Sequence, residues 1–452
     1  GLVKIDLSSQ IDQSNLVKAG LEYRHHRVFF ESMTILPIAT QQDINLASGN
    51  PFIQTQIPPL SSNYHDLYDH KPMEFSGYIQ DKMEFRDLII NIGVRFDYFE
   101  PDGLVLNDDP TLNAQGYAQN YTVDDPSIYT PIKPWNLSKT LDQRRAYWYK
   151  KASSKFKINP RFGAAFPITE RGIVHFSYGH FFQIPRFELL YQNPEFKIGL
   201  GTGNQGVIGN TDLSPEQTIN AELGVQQQLT DDLAVDVNAY IRDIRNLTST
   251  RADQIVIFGG SASYSKYVNS DFGFVKGLTV TLTKRFSGGL AATLDYTYQV
   301  ARGTASDPNE ARNAVAGGAL PEVQLIPLAW DQRHTLNATL SYSAPHWGAS
   351  VISQYGGGTP YTPRRSTDVT TLLTNSQLKP QFFNLDAQAF YNVSLDPLRF
   401  VMFVRVNNLF DIRNEFGVFD DTGRAGFTTD EARTLRNNPL QAVNSVHDIY
   451  VV

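Results

Sequence analysis

The chain has 452 residues, contains no cysteine and carries a formal net charge of -7. Without cysteine, disulfide bonds, thiolate metal sites and cysteine nucleophiles are excluded. The mild acidity also argues against nucleic acid as a partner, because proteins that neutralise phosphates are usually basic.

Composition favours an all-β protein. Aromatic residues make up 12% of the chain, and residues with strand preference are spread along its whole length. The mean hydropathy is -0.30, and no segment reaches the run of about 18 apolar residues that a membrane-spanning helix needs. A membrane-spanning barrel remains open, since each of its strands gives only a weak alternating signal. Residues 1–10 show no secretion signal, so we expect the chain to be a piece of a longer precursor.

Alternation with a period of two, which is typical of strands with one apolar and one polar face, recurs along the chain. In residues 87–98, Leu88, Ile90 and Ile92 share one face with Val94, Phe96 and Tyr98. Asp87, Asn91, Arg95 and Asp97 share the other face with Ile89 and Gly93. The same pattern follows in residues 233–241, 290–300 and 336–342.

About fourteen such strands are predicted when turn residues are used as boundaries. Their connections alternate between short and long. The short ones are predicted near residues 10–15, 84–87, 168–172, 229–233, 286–289, 344–348 and 395–398. The long ones, polar and rich in Gly and Pro, are predicted at residues 31–71, 100–155, 184–214, 248–262, 303–328, 357–380 and from 413 onward.

This alternation indicates a transmembrane antiparallel β-barrel with short periplasmic turns and long extracellular loops. Charge on the lipid side of such a barrel costs about 2 to 4 kcal/mol at the midplane. We therefore expect the Leu88, Ile90 and Ile92 face to point outward. Aromatic residues near strand ends are expected at the membrane interface. They include Phe96, Tyr98, Tyr296 and Tyr298.

Five segments carry a further signal, namely residues 77–101, 159–185, 210–247, 330–342 and 400–417. They resemble the barrel of TonB-dependent outer-membrane receptors, in that family's order. In the last of them, Asn408, Leu409, Phe410 and Asp411 match the family's motif at the penultimate strand. Residues 181–196, FFQIPRFELLYQNPEF, look like the branch that carries an N-terminal carboxypeptidase-regulatory-like domain.

The resemblance implies a 22-stranded barrel closed around a plug. If Asn408 to Asp411 ends strand 21, about seven strands precede Gly1 and one follows Val452. Residues 1–452 are therefore expected to be a partial receptor barrel. Its plug domain, first strands, last strand and TonB-binding box are expected to lie outside the chain.

The sequence shows no catalytic or metal-binding constellation. Gly201 to Gly206 matches GxGxxG but lacks the helix that a dinucleotide site needs, so a flexible extracellular loop is the simpler interpretation. The histidines match no zinc spacing. The acidic pairs Asp108-Asp109, Asp124-Asp125 and Asp420-Asp421 are better read as solvated loop charge than as calcium ligands. We expect no enzyme activity and no cofactor.

Loop 100–155 is rich in aromatic rings, which often anchor ligands because they bury a large area at low entropy cost. An alternative is that these rings pack the loop on itself or lie at the headgroup level. The candidate ligand-binding residues, which include two from the following loop, are Tyr129, Trp135, Trp148, Tyr149, Arg186 and Tyr191.

The resemblance implies an importer that binds an extracellular ligand and moves it inward with energy relayed through TonB. The expected partners are outer-membrane lipid, the TonB complex through the N-terminal region outside this chain, and a small-molecule, oligosaccharide or peptide ligand; nucleic acid is not expected. A passive porin or a surface adhesin is the alternative. A soluble all-β binding domain is the third possibility, and it predicts that the Leu88, Ile90 and Ile92 face is buried.

Overall fold

The computed structural model describes residues 1–38, 55–57, 65–106, 149–192, 203–250, 255–257, 262–316, 324–363, 374–426, 428 and 450–451. Fourteen long strands lie within them. These are β1 Leu2–Gln10, β2 Asn15–His25, β3 Met73–Phe85, β4 Leu88–Glu100, β5 Lys155–Thr169, β6 Gly172–Gln183, β7 Glu216–Gln228, β8 Leu233–Thr250, β9 Ala262–Ser287, β10 Leu290–Gly303, β11 His334–Ser343, β12 Trp347–Gly356, β13 Phe382–Leu395 and β14 Leu398–Val406.

Each long strand pairs with the next one in chain order, and every one of these pairings is antiparallel. The result is one continuous up-and-down sheet. Within the described part of the chain, β1 and β14 have no second long partner. Both strands are exposed along their entire length. They are therefore the two edges of the described sheet.

All seven predicted short connections are confirmed, and because neighbouring strands are antiparallel, they all lie at the same end of the sheet. Local turn chemistry explains their shortness. In the first, Asp12 Oδ1 accepts hydrogen bonds from the Ser14 and Asn15 amides at 2.7 and 2.9 Å. Between β9 and β10, Gly288 and Gly289 both have positive φ, as the tightest hairpin turns require.

The two faces of the sheet differ as predicted. Apolar side chains on the outward face are exposed, including Ile79 at 54%, Ile92 at 51% and Ile241 at 60%. Asp81, an acidic residue on this face, lies opposite Ile92. The exposure of Ile92 confirms the outward direction of its face and contradicts the soluble alternative, which requires that face to be buried. Register places the predicted girdle residues on the outward face too; these are Phe96, Tyr98, Tyr296 and Tyr298.

Shorter elements lie in the long connections, and most of the short strands pair with one another in separate two-stranded sheets. The short strands are Val28–Met33, Leu36–Pro37, Thr55–Gln56, His65–His70, Leu104–Leu106, Tyr149–Lys151, Gly203–Ile208, Ile255–Ile257, Ile326–Pro327, Pro360–Tyr361, Gln377–Leu378, Asn414–Glu415 and Tyr450–Val451, and the helices are α1 Phe187–Tyr191 and α2 Glu310–Ala316. Neither helix is long and apolar enough to cross a bilayer, among the residues described.

The GxGxxG segment differs from its interpretation as a flexible loop. Gly203–Ile208 forms a strand that pairs in parallel with the first residues of β9, starting with Gly203 opposite Ala262. A turn follows the strand at Asn210. The helix that a dinucleotide site requires is therefore absent at this position.

Candidate functional site

The inward face of the sheet is a polar wall, and its side chains are tied to one another across strands. On β4, Arg95 Nε donates to Asp97 Oδ1 at 2.8 Å, and its NH2 group donates to Ser76 Oγ at 2.8 Å. Asn159 Nδ2 on β5 donates to the other oxygen of Asp97 at 2.7 Å. A charged pair that is saturated in this way is held in one geometry. The wall is therefore ordered before any ligand arrives.

The polar wall continues across the later strands. His175 Nε2 on β6 lies 2.8 Å from Asn238 Oδ1 on β8. Thr281 Oγ1 on β9 donates to Asp295 Oδ1 on β10 at 2.8 Å. The neighbouring inward positions of β9 to β11 carry mostly hydroxyl groups. They are Thr279, Thr283, Thr293, Thr297, Thr335, Thr339 and Ser341.

A cluster of mainly aromatic residues, which we call the mouth cluster, packs between α1 and the end of β4 that leads into the long connection. Tyr191, only 1% exposed, stacks on His70 with ring centroids 4.2 Å apart. Its hydroxyl donates to the carbonyl of Pro101. Burial raises the pKa of the Tyr191 hydroxyl well above its usual range and lowers the pKa of His70. The other buried members are Tyr68, Phe99, Leu189, Leu190, Val207, Leu213 and Tyr267.

The segment Asn210 to Ser214 joins the start of β5 and the connection before it to β9, beside the mouth cluster. Asp212 Oδ1 accepts from the Ser153 amide at 2.9 Å and from Lys155 Nζ at 2.5 Å. Burial acts to raise the pKa of Asp212, but these hydrogen bonds outweigh it, and the pKa lies below its ordinary value. Asn210 Nδ2 donates to the Tyr267 carbonyl at 2.8 Å. This role was not predicted, although the Asn, Asp and Ser of NTDLS are typical turn residues.

One further polar anchor, Asp331, holds a later connection. Asp331 is fully buried, accepts from the Ala301 amide at 2.7 Å and pairs with Arg333 Nε at 2.8 Å. No local pattern predicts the bond to Ala301, because the two residues are 30 positions apart.

The motif Asn408 to Asp411 forms the turn that leaves β14. Asn408 and Asp411 both have positive φ, a conformation that Asn and Asp tolerate better than other side-chain-bearing residues. The side-chain oxygen Oδ1 of Asn408 accepts a hydrogen bond from the Ile412 backbone amide at 3.0 Å. The backbone amide of Asn408 donates to Asp386 Oδ1 at 2.8 Å. The residue types in the motif therefore match a backbone requirement.

The six candidate ligand-binding residues fall into three groups. Tyr129, Trp135 and Trp148 lie outside the described residues, and so does the side chain of Tyr149, whose backbone starts a strand paired with Leu104–Leu106. Arg186 is exposed and pairs with Glu188 at 3.0 Å. Tyr191 is buried in the mouth cluster. The acidic pairs 108–109 and 124–125 also lie outside the described part.

No group of three or more His, Asp or Glu side chains that could hold a metal ion occurs among the residues described. The contacts of the site described above are hydrogen bonds, ion pairs and aromatic stacking.

Comparison with solved structures finds outer-membrane transporters. The outer membrane transporter YddB from Escherichia coli matches with a TM-score of 0.60 and 11% identity, over 92% of this chain and 50% of that chain. The ferric-catecholate import receptor Fiu from E. coli K12 matches with a TM-score of 0.53 and 17% identity, over 94% and 52%. The FrpB iron transporter from Neisseria meningitidis, F5-1 variant, in its apoprotein form, gives 0.53 and 14%, over 91% and 52%.

This chain thus spans about half the length of these structures. Comparison with curated protein sequences gives no match. The family model described as TonB dependent receptor-like, beta-barrel, matches residues 6–409. Together with the up-and-down sheet and its apolar outward face, this match shows that the chain is an outer-membrane β-barrel and belongs to the TonB-dependent receptor-like β-barrel family.

Proposed function

We propose that this chain forms the wall and the mouth of an importer that binds an extracellular ligand and takes it up with energy relayed through TonB. The observation that carries this proposal is the ordered polar inward face, typified by Asp97 with its partners Arg95 and Asn159. A preorganised polar surface binds a plug or a polar ligand at little entropic cost. The fourteen strands are then a contiguous part of a 22-stranded barrel, and the plug and the TonB-binding box belong to the rest of the protein.

The ligand belongs to one of three classes, a small molecule, an oligosaccharide or a peptide. Exposed Arg186 and the aromatic residues of loop 100–155 provide the contacts. Buried Tyr191 supports the mouth from beneath by packing on His70. This arrangement separates residues that touch the ligand from residues that position the mouth.

The test is growth of the source bacterium under single-nutrient limitation, with the full-length gene intact or deleted, and with or without TonB. We expect deletion of the receptor gene and loss of TonB to abolish growth on the same nutrient. An Arg186→Ala/Trp148→Ala variant should require a higher nutrient concentration. Arg171→Ala, at the opposite end of the sheet, is the control and should grow normally.

Two outcomes contradict the proposal. Uptake that persists without TonB, together with an open conductance of the purified full-length protein, would identify a passive porin. Normal uptake with loss of cell attachment after deletion of loop 100–155 would identify an adhesin.

A further inference from the structure

A groove of about 780 Å³ crosses the outward face of the sheet from β6 to β10. Strands in a sheet lie about 4.8 Å apart, so four strand spacings make the groove roughly 19 Å wide. This width accommodates several acyl chains side by side. The groove is also bordered by Glu222, Tyr240 and Gly277, although strand register places these three residues on the inward face. The apolar wall of the groove includes Phe176, Leu223, Ile241, Phe274, Leu278 and Val300.

Three cationic side chains lie along one end of this groove, namely Lys276, Arg302 and Arg333. Lys276 lies opposite Val300, so Arg302 is its diagonal neighbour on β10, at about 7–8 Å. Neither Lys276 nor Arg302 takes part in an ion pair within the described part of the chain. Arg333 is already held by Asp331 at 2.8 Å. Asp243 on β8 is also a diagonal neighbour of Lys276, but it is paired with Arg245 at 2.6 Å. Among the described residues, Lys276 and Arg302 therefore have no ion-pair partner.

Position along the strands places these cations near the extracellular membrane boundary. Lys276 lies 11 residues before the end of β9, and Arg302 lies 12 residues after the start of β10, both counted from the short-turn end. A membrane-spanning strand takes about 9 to 11 residues. The cations therefore lie at the level of the outer-leaflet headgroups, while Leu223 and Leu278 face the acyl chains below.

We propose that this groove binds the phosphorylated, multiply acylated glycolipid of the outer leaflet. Its phosphates pair with Lys276 and Arg302, and its acyl chains cover the apolar wall between β6 and β10. An anionic headgroup fits the charge of the site, since Lys and Arg beside a membrane attract anionic lipid. Because the cations lie at the extracellular boundary, the lipid belongs to the outer leaflet and not to the inner one. The groove is wide enough for several acyl chains, which favours a lipid with several chains.

The test is a titration of the full-length receptor in detergent with purified bisphosphorylated lipid A. Native mass spectrometry measures how much lipid is bound at each concentration. We expect Lys276→Gln and Arg302→Gln each to weaken binding about fivefold, and the double variant about 25-fold. The charge-matched control is Arg171→Gln/Arg285→Gln, at the short-turn end, which should bind as the unaltered protein does. A heat-dependent gel shift verifies that every variant is folded.

Lipids of different chemistry complete the experiment. Dephosphorylated lipid A should bind the unaltered receptor weakly, with the same affinity that lipid A has for the double variant. Phosphatidylglycerol should bind the unaltered receptor more weakly than lipid A does. Equal binding of lipid A by the double variant and the unaltered receptor overturns the proposal. Equal affinity for phosphatidylglycerol also overturns it, because the groove then recognises any anionic lipid.

Discussion

Single residues in this protein act mainly by joining connections that are far apart in the chain. Asp212 joins the connection after β6 to Ser153 and Lys155, which are 59 and 57 residues away. Asp331 reaches back 30 residues to the Ala301 amide. In each case the carboxylate accepts a hydrogen bond from a backbone amide, Ser153 or Ala301, that lacks a partner in the strand ladder. A structured loop avoids orphaned polar groups in this way.

Removal of the Asp212 carboxylate should loosen the mouth locally. We expect Asp212→Ala to reduce the free energy of local opening around Ser153 by about 1 to 3 kcal/mol, because donors that it satisfies lose their partner. Amide hydrogen exchange of residues 152–155 and 210–214 measures the effect. The control is Asp231→Ala, which removes an exposed pair with Arg171 and should leave these amides unchanged. Unchanged protection in Asp212→Ala would refute the anchoring role.

The mouth cluster should lose stability in acid through His70. Burial lowers its pKa below the ordinary histidine value of 6.5, so the unfolded chain binds this proton more readily than the folded one. The His70 contribution is therefore complete above about pH 6.5 and is lost as the pH falls through the lower folded-state value. Protection factors of the amides in Val28–Met33 and His65–His70 should fall accordingly. In His70→Phe, which keeps a ring on Tyr191, this component of the pH dependence should disappear; its persistence would assign it to another group.

At the level of single elements, period-two polarity determines which face of a strand meets lipid. On β10, Leu294 faces outward and is 38% exposed, whereas Thr293 and Asp295 lie on the inward face. Turn residues end the strands where the apolar band ends, as with Gly288 and Gly289. Both properties are local, so the sequence predicted the fourteen strands and all seven short connections.

Lysine on the two faces of β10 should have unequal costs. Leu294→Lys places a charge in the apolar band and should cost about 2 to 4 kcal/mol of the free energy of unfolding in lipid. Thr293→Lys, one residue away, enters the polar inward face and should cost about 1 kcal/mol or less. Urea unfolding of the full-length receptor refolded in vesicles measures both. Equal costs would show that the faces are assigned wrongly.

At the scale of the whole molecule, the larger of the buried apolar clusters in the described part of the chain lies at the mouth and not between two layers. The mouth cluster includes Tyr68, Phe99, Leu190, Tyr191 and Tyr267. The strands below it expose their apolar side chains, which is stable only when lipid replaces a second protein layer. The architecture is therefore that of an outer-membrane protein, with its packed region beyond the membrane.

The full-length gene product should fractionate with the outer membrane. On a gel it should migrate faster without heating than after boiling, because a barrel with a complete hydrogen-bond ladder keeps its compact form in detergent. A soluble product without a heat-dependent shift would contradict the assignment of the outward face to lipid.

The sequence by itself determined the strands, their faces and the alternation of short and long connections. These follow from period-two polarity and turn residues, which are local and repeated. Only the tertiary structure decided that Tyr191 packs on His70, 121 residues earlier, and that Asp212 binds Lys155. It also brought Lys276 and Arg302 to one height beside an apolar groove. Such contacts depend on strand register and on how several long connections pack together, and no local pattern in the sequence encodes that.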